Sequence, residues 1–309
     1  MSPTRRGGGR VAEGALFLGV DFTSAPCARK PITAARGHWL ATRPLPTWAV
    51  EDVLELTSFA AFDTLLATPG PWVGGFDLPF GQPRMLVEHE GWPNTWAAFV
   101  RHYCGLPRAV LRDAFRRWCD ARPAGSKFAW RRTDRPAGSS PAMRWANPPV
   151  AWMMHAGIGR MLDAGLAFPA HRHPARRSTA AGRIALEAYP AFTARRVCRQ
   201  PYKSDASAGR TRERARRRRT ILEALTDGAA GLDVRVSLRP ALARRIVADA
   251  AGDLLDAVIC GMQAAHAAAL PRFGLPRALD ALEGWIATVP TASARHAGIR
   301  SVDAPRGRG

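Results

Sequence analysis

The stretch ALFLGVDFTSAP (residues 15–26) carries an apolar run directly into a carboxylate, Asp21, and then into a Thr-Ser-Ala turn. A short apolar run that ends at a turn signal predicts a buried β-strand, here over residues 15–21. The stretch WVGGFDLPFG (72–81) repeats this arrangement and ends its own apolar run at Asp77. Two strands that each end on an acid predict two carboxyl groups at the edge of a sheet.

The segments around these two stretches predict an α/β protein. Residues 37–43 are the next expected strand, at a spacing that suits an antiparallel meander, and the apolar residues of 49–67 recur at helical spacing. A strand over 72–77 then follows a helix, so we expect it to lie parallel to an earlier strand. GRIALEAYPA (182–191) predicts a further strand, which again carries an acid, Glu187.

The remaining segments are expected to be helical. Residues 82–170 are rich in Trp and Pro and are broken into short helical pieces, which predicts a helical insertion set on the sheet. A basic helix over 210–225 and a long, largely apolar helix over 239–270 follow the last strand, and Gly252 is expected to interrupt the second of these.

Length and composition predict one large globular domain. The chain has 309 residues, of which 47% are hydrophobic and 23% charged. We expect a single domain over residues 14–290, which includes the insertion at 82–170. The Gly/Arg-rich ends, 1–13 and 291–309, are expected to be disordered tails. The apolar runs are too short for a signal peptide or a membrane span, which predicts a cytoplasmic protein and leaves its oligomeric state open.

The charge is strongly basic. Lys and Arg number 45 against 25 Asp and Glu, which gives a formal net charge of +20. Such a field attracts polyanions, and nucleic acid is therefore an expected partner. Because Lys30, Lys127 and Lys203 are the only lysines, the Arg-dominated charge fits a GC-rich genome equally well.

Two further acids stand on the last long helix. Asp253 and Asp256 lie one helical turn apart, so both can face the same way. Several carboxylates that converge from strand ends and one helix are the ligands that Mg²⁺ or Mn²⁺ prefers. Two such ions about 4 Å apart activate water and stabilise the leaving oxygen in phosphodiester cleavage. Taken singly, each acid is better explained as a turn or cap residue, and only their arrival together favours a site.

Further catalytic and metal-binding motifs are missing from the sequence. The five cysteines form no CxxC pair, which argues against a disulfide framework and a zinc site. No GxSxG elbow, P-loop or GxGxxG is present, which argues against hydrolase triads and dinucleotide-binding folds.

Four motifs together resemble a known family. GVDFTSAP, GFDLPFG, LEAYPA followed by YKS, and DLLDAV occur in this order between about residues 15 and 270. Their order and spacing resemble the domain-of-unknown-function family 429, whose members are predicted to be RNase H-like nucleases. The resemblance implies an RNase H-like mixed five-stranded sheet flanked by helices. Its first three strands are antiparallel, the others run parallel to the first, and a helical insertion lies between the fourth and fifth strands.

The resemblance also implies which residues act. Asp21 and Asp256 match the first-strand and last-helix acids of the metal site, with Asp253 as neighbour or substitute for Asp256. Asp77 and Glu187 match the acids at later strand ends, and which of the two completes the site is open. The implied catalytic residues are therefore Asp21, Asp77, Glu187 and Asp256, with Mg²⁺ or Mn²⁺ as the cofactor.

Basic residues are the expected contacts to a nucleic-acid backbone. Lys203, in the YKS motif, is placed to neutralise a phosphate, and the basic helix and the loop within the insertion are expected to follow the backbone. A competing explanation is that these runs of charge are solvated surface. The candidate residues are Lys127, Arg131, Arg132, Lys203, Arg216, Arg217, Arg218 and Arg219.

The functional prediction is a metal-dependent nuclease that uses a two-metal carboxylate mechanism. An RNase H-fold phosphotransferase competes with it, but the lack of a glycine in the GVDFTSA turn disfavours that function. Two further candidate functions are hydrolysis of a small phosphoester and non-catalytic binding of nucleic acid.

Overall fold

The fold is an α/β architecture, which we describe from a computed structural model over residues 11–174 and 182–290. Most of the two expected tails, residues 1–10 and 291–309, lies outside these described residues. The strands are β1 (Leu16–Asp21), β2 (Ile32–Leu40), β3 (Thr47–Leu56), β4 (Trp72–Asp77), β5 (Arg183–Glu187) and β6 (Arg235–Leu238).

Helices occupy most of the chain between and after the strands. The α-helices are α1 (Phe59–Leu66), α2 (Arg84–His89), α3 (Trp96–Gly105), α4 (Arg108–Asp120), α5 (Asp134–Ala137), α6 (Val150–Asp163), α7 (Pro190–Val197), α8 (Arg212–Asp227), α9 (Pro240–Ala248) and α10 (Asp253–Ala268). Short 3₁₀ helices lie at Pro169–His171, Ser207–Gly209 and Pro271–Gly274.

The six strands form one mixed sheet in the order β5-β4-β1-β2-β3-β6. The pairs β1–β2 and β2–β3 are antiparallel, which agrees with the expected meander. The pairs β1–β4, β4–β5 and β3–β6 are parallel. Five strands were expected, and the described residues contain six. The additional strand, β6, pairs with β3 at the edge of the sheet. Helices α2 to α6 fall between β4 and β5, as the expected insertion does.

The expected helix over 49–67 is wrong in its first half. Thr47–Leu56 is a strand, and the helix begins only at Phe59, where the Ser58 hydroxyl accepts a hydrogen bond from Ala61 N at 3.2 Å. The first half of that segment contains Val50 and Val53, β-branched residues that favour strands. Pairing with β2 on one side and β6 on the other outweighs the helical spacing.

Helices cover both faces of the sheet. Leu18 and Val20 of β1 pack into an apolar core shared with α1 and the insertion helices. Phe17, which points to the opposite face, packs into a second core formed by α8, α9 and α10. The expected long helix is interrupted at Gly252, whose φ of +79° is a left-handed conformation that glycine adopts easily. Within the described ranges, no helix is long and apolar enough to cross a membrane.

Candidate carboxylate site

Asp21 and Asp77 lie side by side at one edge of the sheet. They are the last residues of β1 and β4, and the parallel register of these strands pairs Asp21 directly with Asp77. The two carboxyl groups lie close enough for each to affect the pKa of the other. The sequence therefore placed both acids correctly at strand ends, and the structure brings them into contact.

Helix α10 brings a third carboxylate to this edge. A side chain at Gly19 would place its Cβ 2.1 Å from Ala257 O, and one at Gly75 would place it 2.2 Å from Cys260 O. These two glycines let α10 pack directly on β1 and β4. Asp256, in the first turn of the helix, is 0% exposed and lies beside the two strand ends.

Asp256 is held by two neighbouring side chains. Tyr202 Oη donates a hydrogen bond to Asp256 Oδ1 at 2.5 Å. Lys203 Nζ donates to Asp256 Oδ2 and forms an ion pair with it. Both carboxylate oxygens of Asp256 therefore have a partner within the protein.

The carboxyl groups strongly perturb one another. Burial raises the pKa of Asp77 to about 7; Lys203 opposes this shift, while Asp256 and Glu187 add to it. Burial also raises the pKa of Asp21 well above its usual range, again opposed by Lys203 and reinforced by the neighbouring acids. A cation bound between these carboxylates would relieve their repulsion.

Glu187 is committed to a separate buried ion pair. Its Oε1 accepts a hydrogen bond from Arg131 Nη2 at 2.6 Å, and its Oε2 accepts one from Arg131 Nη1 at 2.7 Å. Phe80 N donates to Oε2 at 3.1 Å, and Arg131 also binds Asp134 at 2.8 Å. Since both oxygens of Glu187 are occupied, the geometry favours Asp77 as the acid that completes the cluster.

Asp253 faces a different partner from Asp256. Its carboxylate binds Lys30 Nζ at 2.9 Å, and the same ammonium binds Asp205 at 2.8 Å. Its backbone oxygen accepts a hydrogen bond from Thr33 Oγ1 at 2.8 Å. Asp253 thus ties the start of α10 to the loop after β1 and to the segment after Lys203.

The basic candidates divide into exposed and buried residues. Arg131 is 2% exposed in its ion pair, and Arg218 is 3% exposed, with hydrogen bonds to Val247 O and Tyr202 O. The expectation that these two contact a nucleic acid is corrected by their burial. Arg217 is half-buried and donates to Pro201 O at 2.9 Å. The exposed candidates are Lys127, Arg132, Lys203, Arg216 and Arg219.

Two clefts border the acids. A small cavity of about 80 Å³ is lined by Asp77, Glu187, Ser139, Ser140 and Tyr189, among others. A cleft of about 350 Å³ on the other side is lined by Asp253 together with Arg29 and Arg210. The second cleft places two arginine side chains beside the first turn of α10.

The donor set fits a hard divalent cation. Asp21 and Asp77 offer oxygen ligands, since no N–H group in the described ranges donates to their carboxyl oxygens, whereas both oxygens of Asp256 are occupied. Burial and the three acids raise the pKa of the nearby Cys260 thiol well above its usual range, so that thiol stays protonated. Among the described residues, no group of three or more His, Cys, Asp or Glu side chains is arranged to hold a metal ion.

Sequence reasoning missed several residues around the cluster. The hydroxyl of Tyr202 binds Asp256. Tyr202 belongs to the quoted YKS motif, but only the lysine of that motif was predicted to act. Lys30, Arg29 and Arg210 lie in loops, where no periodicity or motif marks them. Their positions follow from tertiary packing.

Comparison of the chain with family models, with curated proteins and with solved structures finds no match in any of the three. The resemblance to domain-of-unknown-function family 429 therefore stays a prediction.

Proposed function

We propose that this protein is a metal-dependent nuclease with an RNase H-like core. The observation that carries the proposal is the cluster of Asp21, Asp77 and Asp256 at one sheet edge, where burial and the neighbouring acids raise the pKa values of Asp21 and Asp77, and a bound cation would stabilise their ionised forms. The antiparallel pairing of β1, β2 and β3 and the parallel pairing of β4 and β5 with β1 support the RNase H-like plan, to which β6 is added at the β3 edge.

The cluster residues have distinct roles in this proposal. Asp21 and Asp77 would hold the divalent ion, and Tyr202 and Lys203 fix the carboxylate of Asp256 beside them. When bound, the ion supplies Lewis-acid activation of water and charge for the leaving oxygen. Asp21 and Asp77 are half-buried and Asp256 is fully buried, so protein would screen part of the ion from bulk water and strengthen its field.

The basic surface supports a nucleic acid as the substrate. Arg29 and Arg210 line the cleft beside Asp253, together with the acids Glu55 and Asp249, and would contact a phosphate backbone that enters the carboxylate site from this side. The exposed arginines of α8, Arg216 and Arg219, extend the basic surface along the helix. A net charge of +20 steers such a substrate towards the protein.

Cleavage of labelled nucleic acids tests the proposal. The protein is incubated with DNA, RNA, hybrid and branched substrates and with a small phosphodiester, in Mg²⁺ or Mn²⁺ and in chelator. We expect the wild type to cleave a nucleic acid only when metal is present. In Asp21→Asn the side chain keeps its size and loses its charge, so we expect the cleavage rate to fall to that measured in chelator. The matched control is Asp113→Asn, because Asp113 is exposed on α4 and lies 3.9 Å from its ion-pair partner Arg116.

Each result of this panel has a distinct meaning. Normal cleavage by Asp21→Asn would place the reaction elsewhere in the protein. Cleavage of the small phosphodiester alone would make the protein a small-phosphoester hydrolase. Metal binding without any cleavage would favour a binding module.

A further inference from the structure

Lys203 places an ammonium group inside the carboxylate cluster. Its Nζ binds Asp256 Oδ2, and its charge is the strongest influence, after burial, on the pKa values of Asp21 and Asp77. Burial lowers the pKa of Lys203 itself, but the ion pair with Asp256 outweighs burial and raises it well above its usual range. Lys203 is therefore a permanent cation in this cluster.

The backbone on both sides of Lys203 is fixed by hydrogen bonds. Buried Arg218 donates to Tyr202 O at 2.7 Å, and Ser204 N donates to Ala250 O at 3.0 Å. Lys30 holds Asp205 and Asp253 together from the other side. A Cβ at Gly252 would lie 2.7 Å from Lys203 Cβ, so the glycine permits the close approach of this segment to α10.

The carboxyl groups that remain free in the cluster indicate how many metal ions it holds. Asp21 and Asp77 end two adjacent, paired strands, so their carboxyl groups together can hold one ion. Asp256, which a second ion would need as a ligand, already has both oxygens occupied.

We propose that Lys203 takes the place of a second metal ion, so that the site binds one divalent ion through Asp21 and Asp77. Lys203 would then supply to the scissile phosphate the positive charge that a second ion supplies in a two-metal site. Its side chain is 42% exposed, which leaves it accessible to a substrate phosphate from the solvent side. This inference rests on the proposed function and replaces the two-metal mechanism that the sequence predicted.

The number of bound ions tests the inference without any activity measurement. Mn²⁺ alone is titrated into the wild-type protein, Lys203→Met, Lys203→Arg and the control Lys127→Met, and binding is followed by calorimetry and by electron paramagnetic resonance. We expect one ion per chain in the wild type and in both Lys127→Met and Lys203→Arg. Lys127 is exposed on the insertion, and Lys203→Arg keeps the positive charge. In Lys203→Met we expect two ions, with the spectral broadening of two neighbouring manganese ions.

The outcomes separate this inference from the proposed function. Two ions in the wild type would overturn the role of Lys203 and leave the nuclease proposal standing. This result does not depend on whether any variant folds. One ion in both the wild type and a folded Lys203→Met would do the same. No ion in the wild type would overturn the proposed function and the inference together.

Discussion

Arg131 shows at the level of single residues how burial changes the role of a charged side chain. The sequence places it in a basic loop beside Arg132, where both residues are equally good candidates for contact with a phosphate. In the structure Arg131 is buried between Glu187 and Asp134, whereas the side chain of Arg132 is exposed. One is a structural cation that joins the insertion to β5, and the other is free to contact a partner.

This difference predicts opposite effects for two neighbouring substitutions. Arg131→Leu leaves two buried carboxylates without their cation and is expected to lower the free energy of unfolding by about 3–5 kcal/mol. Arg132→Leu is expected to change it by less than about 0.5 kcal/mol, because the side chain is exposed. Urea unfolding at pH 7 measures both values. Equal losses for the two variants would show that the buried ion pair does not hold the insertion to the sheet.

At the level of elements, the geometry of the carboxylate cluster depends on how closely α10 approaches the sheet. Gly19 of β1 and Gly75 of β4 face the helix backbone, and Gly261 of α10 packs against Trp48, where a Cβ would lie 2.1 Å from the ring. Glycines on both sides of the contact leave almost no gap between helix and strands. Asp256 therefore reaches the strand ends that carry Asp21 and Asp77.

A methyl group at Gly19 should separate the helix from the sheet. The nearest neighbours of this methyl group are backbone atoms of Ala257 and Gly261. These atoms can move away only if the whole helix α10 shifts. We expect Gly19→Ala to lower the free energy of unfolding by about 1–3 kcal/mol or more, and to weaken Mn²⁺ binding in the fraction that folds. The control Gly105→Ala, at the end of α3, meets open space and should change neither quantity. Unaltered Mn²⁺ affinity in Gly19→Ala would mean that the position of α10 does not set the site.

The elements also show what the sequence predicts well and what it does not. β1 and β4 were predicted almost to the residue, because short apolar runs that end on an acid and a turn carry their own boundaries. Most of β3 was predicted as a helix, because the spacing of its apolar residues fits both a helix and a strand. Only its pairing with β2 and β6 makes it a strand. The same limit applies to the site: strand ends identify Asp21 and Asp77, but nothing local shows that Arg131 captures Glu187 or that Lys203 reaches Asp256.

On the scale of the whole molecule, arginines stand at one rim of the carboxylate centre. The acids lie at the sheet edge, whereas Arg29 and Arg210 line the neighbouring cleft and further arginines continue along α8. A polyanion is attracted to the rim by the arginines and repelled at the centre by the carboxylates. A divalent ion at the centre removes that repulsion, so metal and nucleic acid should assist each other in binding.

The arrangement predicts a specific salt dependence for nucleic-acid binding. Each phosphate contact contributes about 0.9 to the slope of log K against log salt for a duplex. Replacing Arg29 and Arg210 together by Ala should therefore reduce the magnitude of the slope by about two. The control Arg101→Ala removes an exposed arginine of α3 that does not line this cleft, and it should leave the slope unchanged.

Fluorescence anisotropy in chelator, where the proposed metal-dependent cleavage is absent, measures the slopes from about 50 to 200 mM salt. If the double variant kept the wild-type slope, the nucleic acid would have to bind on another face, and the cleft beside Asp253 would not be its path to the carboxylates.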